Sequence, residues 1–385
     1  MRCIPFLFPE NMISVELSEG REAIETLAGE WDLLVGDSFT AAFSRPHLYL
    51  AWLDVFRLSR VVVVTARENG RLAGVLPMAR FRTDARGLYF TLVAPLARGD
   101  YQPPIVDPAV AQEALPAMLD CTFRRLGRRG VCWWPNIPVT DPSLGLLREF
   151  FASRRMPVME EREIAPRIRI DGASYADVER SWTTKHRTDV RRRRKLLEAK
   201  GHVSLWQPAT LAEAEPVLEE FFRVHDERWL TRGLPGMFQD PDQRRYFRAL
   251  LKRLWGRGLH FSTVRCGSLD VSYHFGFFAG GWVQWYRPSY RIGYSEFSPG
   301  KLHIALVIEQ ACQSRWDGVD LLLGGEPHKD LWANDSMEVV SLHAGFHRWA
   351  PSYFWFSRGK PYVRSKFQMV WFRARAWLQK RRRTP

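Results

Sequence analysis

Apolar and polar positions alternate in two registers along this chain, and the same order of registers occurs twice. In the first third, SEGREAIETLAGEWDLL (18–34) reads as a polar helix, and FSRPHLYLAWLDVFRL (43–58) places Leu48, Trp52 and Val55/Phe56 at helical spacing. VVVVTA (61–66), the turn RENG and RLAGVLPMARF (71–81) predict a hairpin, and LYFTLVA (88–94) a further strand. A Pro-rich loop, GDYQPPIVDP (99–108), leads to a helix over 110–127 that ends near Gly130 before VCWW. The second half opens with helices at 211–230 and 246–255. It continues with strands LHFSTVR (259–265), SYHFGFFA (272–279) and WVQWYRPSY (282–290), a helix over 301–315 and the apolar run VDLLL.

Two segments match most closely, LDCTFRRLGRRGVCWWPNIP (119–138) and IEQACQSRWDGVDLLLGGEP (308–327); both run helix, Gly-Val, apolar strand, Gly/Pro exit. With the two hairpins they predict duplicated α/β units with mixed sheets, an α+β reading. EEREIAPRIRIDGASYADVE reads as the change from one domain to a connecting helix. The predicted division is 1–165, 166–350 and a basic tail over 351–385.

A length of 385 residues is long for one core, and 46% apolar with 13% aromatic residues describes a folded chain. The net charge of +14 draws phosphates, whether on a nucleotide, an RNA or an anionic lipid surface. The cysteines (Cys3, Cys121, Cys132, Cys266, Cys312) lack metal spacing and form no CxxC, which argues against a zinc site or a disulfide framework, so no metal is expected. MRCIPFLFPENMISV lacks the features of a signal peptide, and no apolar run reaches the length of a membrane span. The expected location is cytoplasmic. SKFQMVWFRARAWLQKRRRTP is an amphipathic basic helix, suited either to peripheral contact with the inner face of the membrane or to packing on the body.

Candidate chemistry gathers in the second half. In FSPGKL, Ser298 suits the N-cap, Pro299 the first helical position, and Gly300 and Lys301 the first turn, so the helix start is an anion site. In TTKHRTDVRRRRKLLEAKG, Arg187, Arg191 and Arg194/Lys195 share one helix face that is either solvated or able to hold phosphate. GGEPHKDLW brings Glu326, His328 and Lys329 to the end of an apolar strand. Glu326, His328 or Asp320 could take a proton from an attacking amine, and Lys329 could stabilise an anionic tetrahedral intermediate. Asp100 and Tyr101 in GDYQPP could line an acceptor cleft. Trp229, Trp285, Tyr286 and Tyr290 could stack on a sugar or base, although core packing is the commoner role of such rings. His225 reads as a structural hydrogen-bonding partner of Trp229.

FSRPHLYLAW, GDYQPP, KHRTDVRRRRKLLEAKG, HDERW, FSPGKL and GGEPHKDLW, in this order across roughly 20–350, resemble the GNAT acyltransferase superfamily. More narrowly, they resemble its double-GNAT, CelD-type branch, linked to polysaccharide biosynthesis and related to the FemAB aminoacyltransferases. The resemblance implies two tandem GNAT-like domains, with VVSLHAGFHRW (339–349) returning to the first. It also implies acyl-CoA, for instance acetyl-CoA, as donor, with the strand-to-helix junction at Arg291, Ser298, Gly300 and Lys301 holding its pyrophosphate. The family's Arg/Gln-x-x-Gly-x-Gly/Ala pattern is absent; RIGYSEFSPG has Arg291, Gly293 and Gly300 in a looser arrangement. Relatives carry a Tyr-Lys or similar pair after this strand, of which Lys329 matches and His328 replaces the Tyr. The acceptor would be a small-molecule or lipid-linked saccharide or a cell-envelope precursor. Two alternatives are a FemAB-type transferase using charged tRNA and a non-catalytic protein binding membrane or RNA.

Overall fold

A computed structural model describes residues 13–56, 58, 60–85, 88–127, 130–324 and 328–346. The chain divides into two units: described residues through Ile164 together with those from Met337 onward, and Ala165–Ser336. The second unit therefore closes at Ser336 rather than at residue 350. The predicted tail at 351–385 and its helix, like Cys3, lie outside the described residues.

The first unit begins with β1 (Ile13–Glu19), α1 (Gly20–Val35), α2 (Ala41–Ser44) and α3 (Pro46–Leu53). The helix expected over 43–58 is broken because Arg45 precedes Pro46 and is extended, with ψ 142°. β2 (Val61–Glu68), β3 (Arg71–Ala85) and β4 (Leu88–Pro95) follow, then β5 (Ile105–Val106), α4 (Ala111–Leu126), β6 (Val131–Pro138) and α5 (Ser143–Ser153). β7 (Val158–Arg169) occupies the first part of the segment read as passing from one domain to a connecting helix, and its Ala165–Arg169 end belongs to the second unit.

The second unit continues with α6 (Tyr175–Ser181), α7 (Thr184–Glu198), β8 (Val203–Trp206), α8 (Leu211–Leu230) and α9 (Pro241–Leu254). β9 (Leu259–Cys266), β10 (Leu269–Ala279), β11 (Trp282–Tyr290), α10 (Pro299–Gln313) and β12 (Gly318–Asp320) complete it. β13 (Asp335–Gly345) then pairs antiparallel with β6, from Val339 opposite Pro138 to Gly345 opposite Val131, so the chain does return to its first unit.

The two units share one plan. In the first, the strand order is β1-β2-β3-β4-β6-β13; in the second it is β8-β9-β10-β11-β12-β7. In each, the first four strands are antiparallel neighbours. A helix (α4 or α10) then crosses to a parallel strand, the connection that a parallel neighbour requires. An antiparallel strand from elsewhere in the chain closes each sheet. In the first core, Leu115, Met118 and Leu119 of α4 pack with Val62, Val64, Leu76 and Met78, and β13 adds Val340, Leu342 and Ala344. In the second, one sheet face carries an aromatic layer of Phe221, Phe222, Phe238, Phe247, Phe261 and Phe275 under α8 and α9. On the other, α10 buries Leu302, Ala305, Val307 and Ile308.

Candidate active site

The site in the second unit begins with a glycine. Between Phe275 and Phe277 the β10–β11 register shifts by one residue, so Trp285 and Tyr286 of β11 together oppose Gly276. A Cβ on Gly276 would lie 2.3 Å from both the Gln284 carbonyl oxygen and His274 Nε2, so the bulge requires glycine there. His274 fills the bulge: its ring stacks on Trp285 at 3.9 Å, and its Nε2 accepts the Tyr286 N–H at 3.2 Å. On its other edge β11 pairs with β12 only over Trp282–Gly318, Val283–Val319 and Gln284–Asp320. The two parallel strands part where the bulge begins, and β11 runs on to Tyr290 without β12 beside it.

Beyond the parting, VDLLL leaves the sheet earlier than its apolar pattern predicts. Leu321 N–H donates to the Pro166 carbonyl at 3.0 Å, and Leu322 takes φ 57°, a conformation costly for a leucine. The buried Asp320 carboxylate accepts the Leu322 N–H at 2.7 Å. Lys329 then reaches back, its ammonium donating to the carbonyls of Leu322 at 3.3 Å and Leu323 at 2.8 Å. Lys329 is 8% exposed, and in the same turn Trp332 plugs into Trp182 and His186, with ring centroids 4.9 and 4.4 Å away. His328 is exposed, and Glu326 lies outside the described residues.

A cleft of about 630 Å³ opens at the start of α7, lined by residues that include Lys185, His186, Asp189, Arg192, Lys301 and Leu331. It joins the three stretches singled out in the sequence: the basic helix, FSPGKL and GGEPHKDLW. Lys301 donates to Asp189 at 2.7 Å, and this bond, with Arg193 on the same carboxylate, holds the Asp189 pKa down at about 2. His186 is 4% exposed, and its Nε2 has no hydrogen-bond partner among the described residues. Burial and the nearby Lys301 charge lower the pKa of this imidazole.

The remaining cofactor candidates are not arranged as expected. Ser298 stands at the N-cap with φ 51°, but its side chain caps nothing. Arg291 is turned to other partners, namely Glu220 at 2.5 Å, the Tyr273 hydroxyl at 3.1 Å and the Asp270 carbonyl at 2.6 Å. Gly300 packs near Tyr290, and a Cβ at this position would lie 3.5 Å from that ring. On α7, Arg191 pairs with Glu179, and Arg194 with Glu309 and Glu198, both at 3.1 Å. Arg187 is half-buried, with no side-chain partner among the described residues.

Of the aromatic candidates, Tyr286 lies in the layer with Phe277 and Phe247, ring centroids 5.2 and 6.3 Å away. Trp229 donates to His225 Nε2 at 3.1 Å. Beside it, Asp226 accepts the Phe238 N–H at 3.0 Å, so HDERW braces the turn that follows α8. In the first unit Tyr101 is fully buried beside Phe39 and Phe43, while Asp100 is half-exposed. The GDYQPP loop is held by Asn136, whose amide donates to the Gly99 carbonyl at 3.2 Å. Sequence reading missed Asn136, His186, Asp189 and His274. His186 and Asp189 stand inside the Arg run, where their own signal is lost, and His274 gave only the pattern of a strand.

Residues 184–330 match the family model described as an acetyltransferase (GNAT) domain. No curated protein matches the chain in sequence. Among solved structures the fold is shared with FemX, at 11% identity and a TM-score of 0.57, covering 81% of this chain and 95% of that one. It is shared also with L-PGS from Bacillus licheniformis, at 12% identity and a TM-score of 0.53, covering 87% and 95%. The C-terminal domain of a putative lysylphosphatidylglycerol synthetase from Agrobacterium fabrum gives 8% identity and 0.53, covering 84% and 92%. Among the described residues no helix is long and apolar enough to cross a membrane, and no cluster of three or more acidic, His or Cys side chains could hold a metal. Residues 184–330 are thus similar to a GNAT acetyltransferase domain, and the two units carry the fold shared with FemX.

Proposed function

We propose that this chain transfers an acyl group, in the first instance acetyl from acetyl-CoA, to an amine or hydroxyl of a sugar, lipid-linked glycan or cell-envelope precursor. The observation that carries this reading is the bulged β11, which parts from β12 after Gln284 beside the loop clamped by Lys329. A strand edge without its neighbour offers backbone N–H and C=O groups to an extended ligand. The amide-rich pantetheine arm of acyl-CoA suits such an edge and would bring its thioester towards the Lys329 turn. A cation near the carbonyl stabilises the oxyanion of the tetrahedral intermediate. The resemblance to CelD-type proteins supports the saccharide acceptor, and the basic segment over 351–385 supports contact with an anionic membrane.

A second reading takes the acyl group from an aminoacyl-tRNA. The +14 net charge and the missing Arg/Gln-x-x-Gly-x-Gly/Ala pattern favour it, as does the diversion of Arg291 to Glu220. Calorimetry of the full chain with acetyl-CoA and with a charged tRNA separates the two. Acetyl-CoA binding at micromolar to millimolar concentration is expected; no binding at millimolar acetyl-CoA eliminates the first reading. Lys329→Ala should lower kcat by about 10²-fold, the scale of losing one oxyanion-stabilising donor. Unchanged turnover would remove Lys329 from the chemistry.

A further inference from the structure

Positive charge on α7 is spread differently from what its sequence suggests. The arginines of its middle and end are matched: Arg191 by Glu179, Arg194 by Glu309 and Glu198. Its beginning is not. There the one carboxylate of Asp189 is shared by Lys301 at 2.7 Å, Arg193 at 3.2 Å and Arg192 at 3.4 Å, three cations to one anion, and Lys185 on the cleft lining has no ion-pair partner among the described residues. The Thr183 hydroxyl accepts the His186 N–H at 3.2 Å, and the Thr183 carbonyl accepts the Arg187 N–H at 3.0 Å. The N–H groups of Thr184 and Lys185, first in the helix, have no intrahelical acceptor.

The start of α10, where sequence alone places the anion, is the poorer site. Pro299 has no N–H, and the Lys301 N–H is bonded to the Ser298 carbonyl at 2.9 Å. At α7 an independent feature points the same way. His186 borders the cleft with a covered Nε2 that no described residue satisfies, and buried polar nitrogens are ordinarily paired. At about 630 Å³ the cleft is on the scale of sites that hold a whole small molecule rather than a lone ion.

We propose that this cleft binds the phosphate or pyrophosphate group of a substrate. The Thr184 and Lys185 amides and the Lys185 and Arg192 side chains receive its oxygens, and His186 Nε2–H is the innermost donor. Several donors around one tetrahedral oxyanion use more of its acceptor sites than a carboxylate would offer. The acyltransferase reading bears only on which substrate carries the phosphate. Coenzyme A and a phosphorylated acceptor present the same chemistry.

The test uses the full chain with sodium pyrophosphate as probe, followed by calorimetry and by the His186 ring resonances. Wild-type protein should bind pyrophosphate and shift those resonances. Lys185→Ala and Arg192→Ala should each weaken binding about tenfold, the worth of one charge-assisted hydrogen bond. Lys195→Ala, exposed on the same helix and outside the cleft lining, should leave it unchanged. Absence of binding, unmoved His186 resonances, or equal weakening by Lys195→Ala would overturn the proposal. Displacement of pyrophosphate by CoA assigns the site to the donor and displacement by UDP to a nucleotide-linked acceptor; displacement by neither overturns it as a substrate site. Protein that binds pyrophosphate here yet neither binds nor turns over acetyl-CoA keeps this site and loses the acetyl-CoA reading. Turnover of acetyl-CoA without a pyrophosphate response does the reverse.

Discussion

Gly276 holds the candidate site open by having no side chain. An alanine methyl would meet a backbone carbonyl oxygen and the His274 ring at 2.3 Å, and His274 is fully buried against Trp285, with no room to withdraw. Gly276→Ala is therefore expected to destabilise the second unit by roughly 2–4 kcal/mol, as overpacking of a tight interior does. It should also abolish acetyl-CoA binding in whatever folded protein remains, because β11 cannot keep its bulge. Urea unfolding and calorimetry read both effects; wild-type stability with wild-type binding would remove the bulge from the argument. In the sequence, a glycine within SYHFGFFA signals a bulge or a close approach, but which strand carries the extra residue depends on a partner register that pattern alone does not contain. Lys329 and Lys301 drew notice as charges after an apolar run and in a first helical turn; the structure buries the first against the Leu322 and Leu323 carbonyls and pairs the second with Asp189. His186 was hidden by the arginines around it.

Elements with a clear period were readable and those without one were not. The helix at 211–230 and the strands at 259–265 and 282–290 stand close to where alternation puts them. β7 was missed because its Glu160–Ile164 stretch is mostly charged and exposed, which imitates a solvated helix. The layer between β9, β10 and α10 was also unreadable, since it is built from polar residues. His303 is hydrogen-bonded to Ser262 at 2.9 Å and Ser272 at 3.0 Å, and the His260 and His274 rings lie 5.4 Å apart. Burial pushes the His260 pKa down to about 4 and those of His274 and His303 well below the usual value. These groups take protons in the unfolded chain, near pH 6.5, before they can in the folded one. Stability is thus full above about pH 6.5 and falls as pH drops towards 4, by about 1.4 kcal/mol per pH unit for each histidine. Urea midpoints at pH 7, 6 and 5 should descend in this order, and His303→Gln should flatten the descent. Equal midpoints from pH 7 to 5 would mean that the layer does not stay neutral and closed.

Each unit repeats one plan, and each is closed by a strand that its own repeat does not supply. The second sheet ends on Ala165–Arg169 of β7, pairing Ile168 with Val319, and the first ends on β13, which is more than a hundred residues from the rest of its sheet. The internal match between 119–138 and 308–327 made the duplication legible, whereas β13 came into view only through the family resemblance. Its energetic part can be isolated by ending the chain at Ser336. That deletion removes Val340, Leu342 and Ala344 from the core around Trp134, Ile137 and Phe150 and exposes the edge of β6. Burial of the two larger side chains alone is worth about 3–6 kcal/mol, comparable with the whole stability of a small domain. Hydrogen exchange should then show amides of α4 and β6 losing protection, while those of α10 and β10 keep theirs, because no strand of the second sheet has been removed. Undiminished protection of β6 would mean that the first unit is complete without its returning strand.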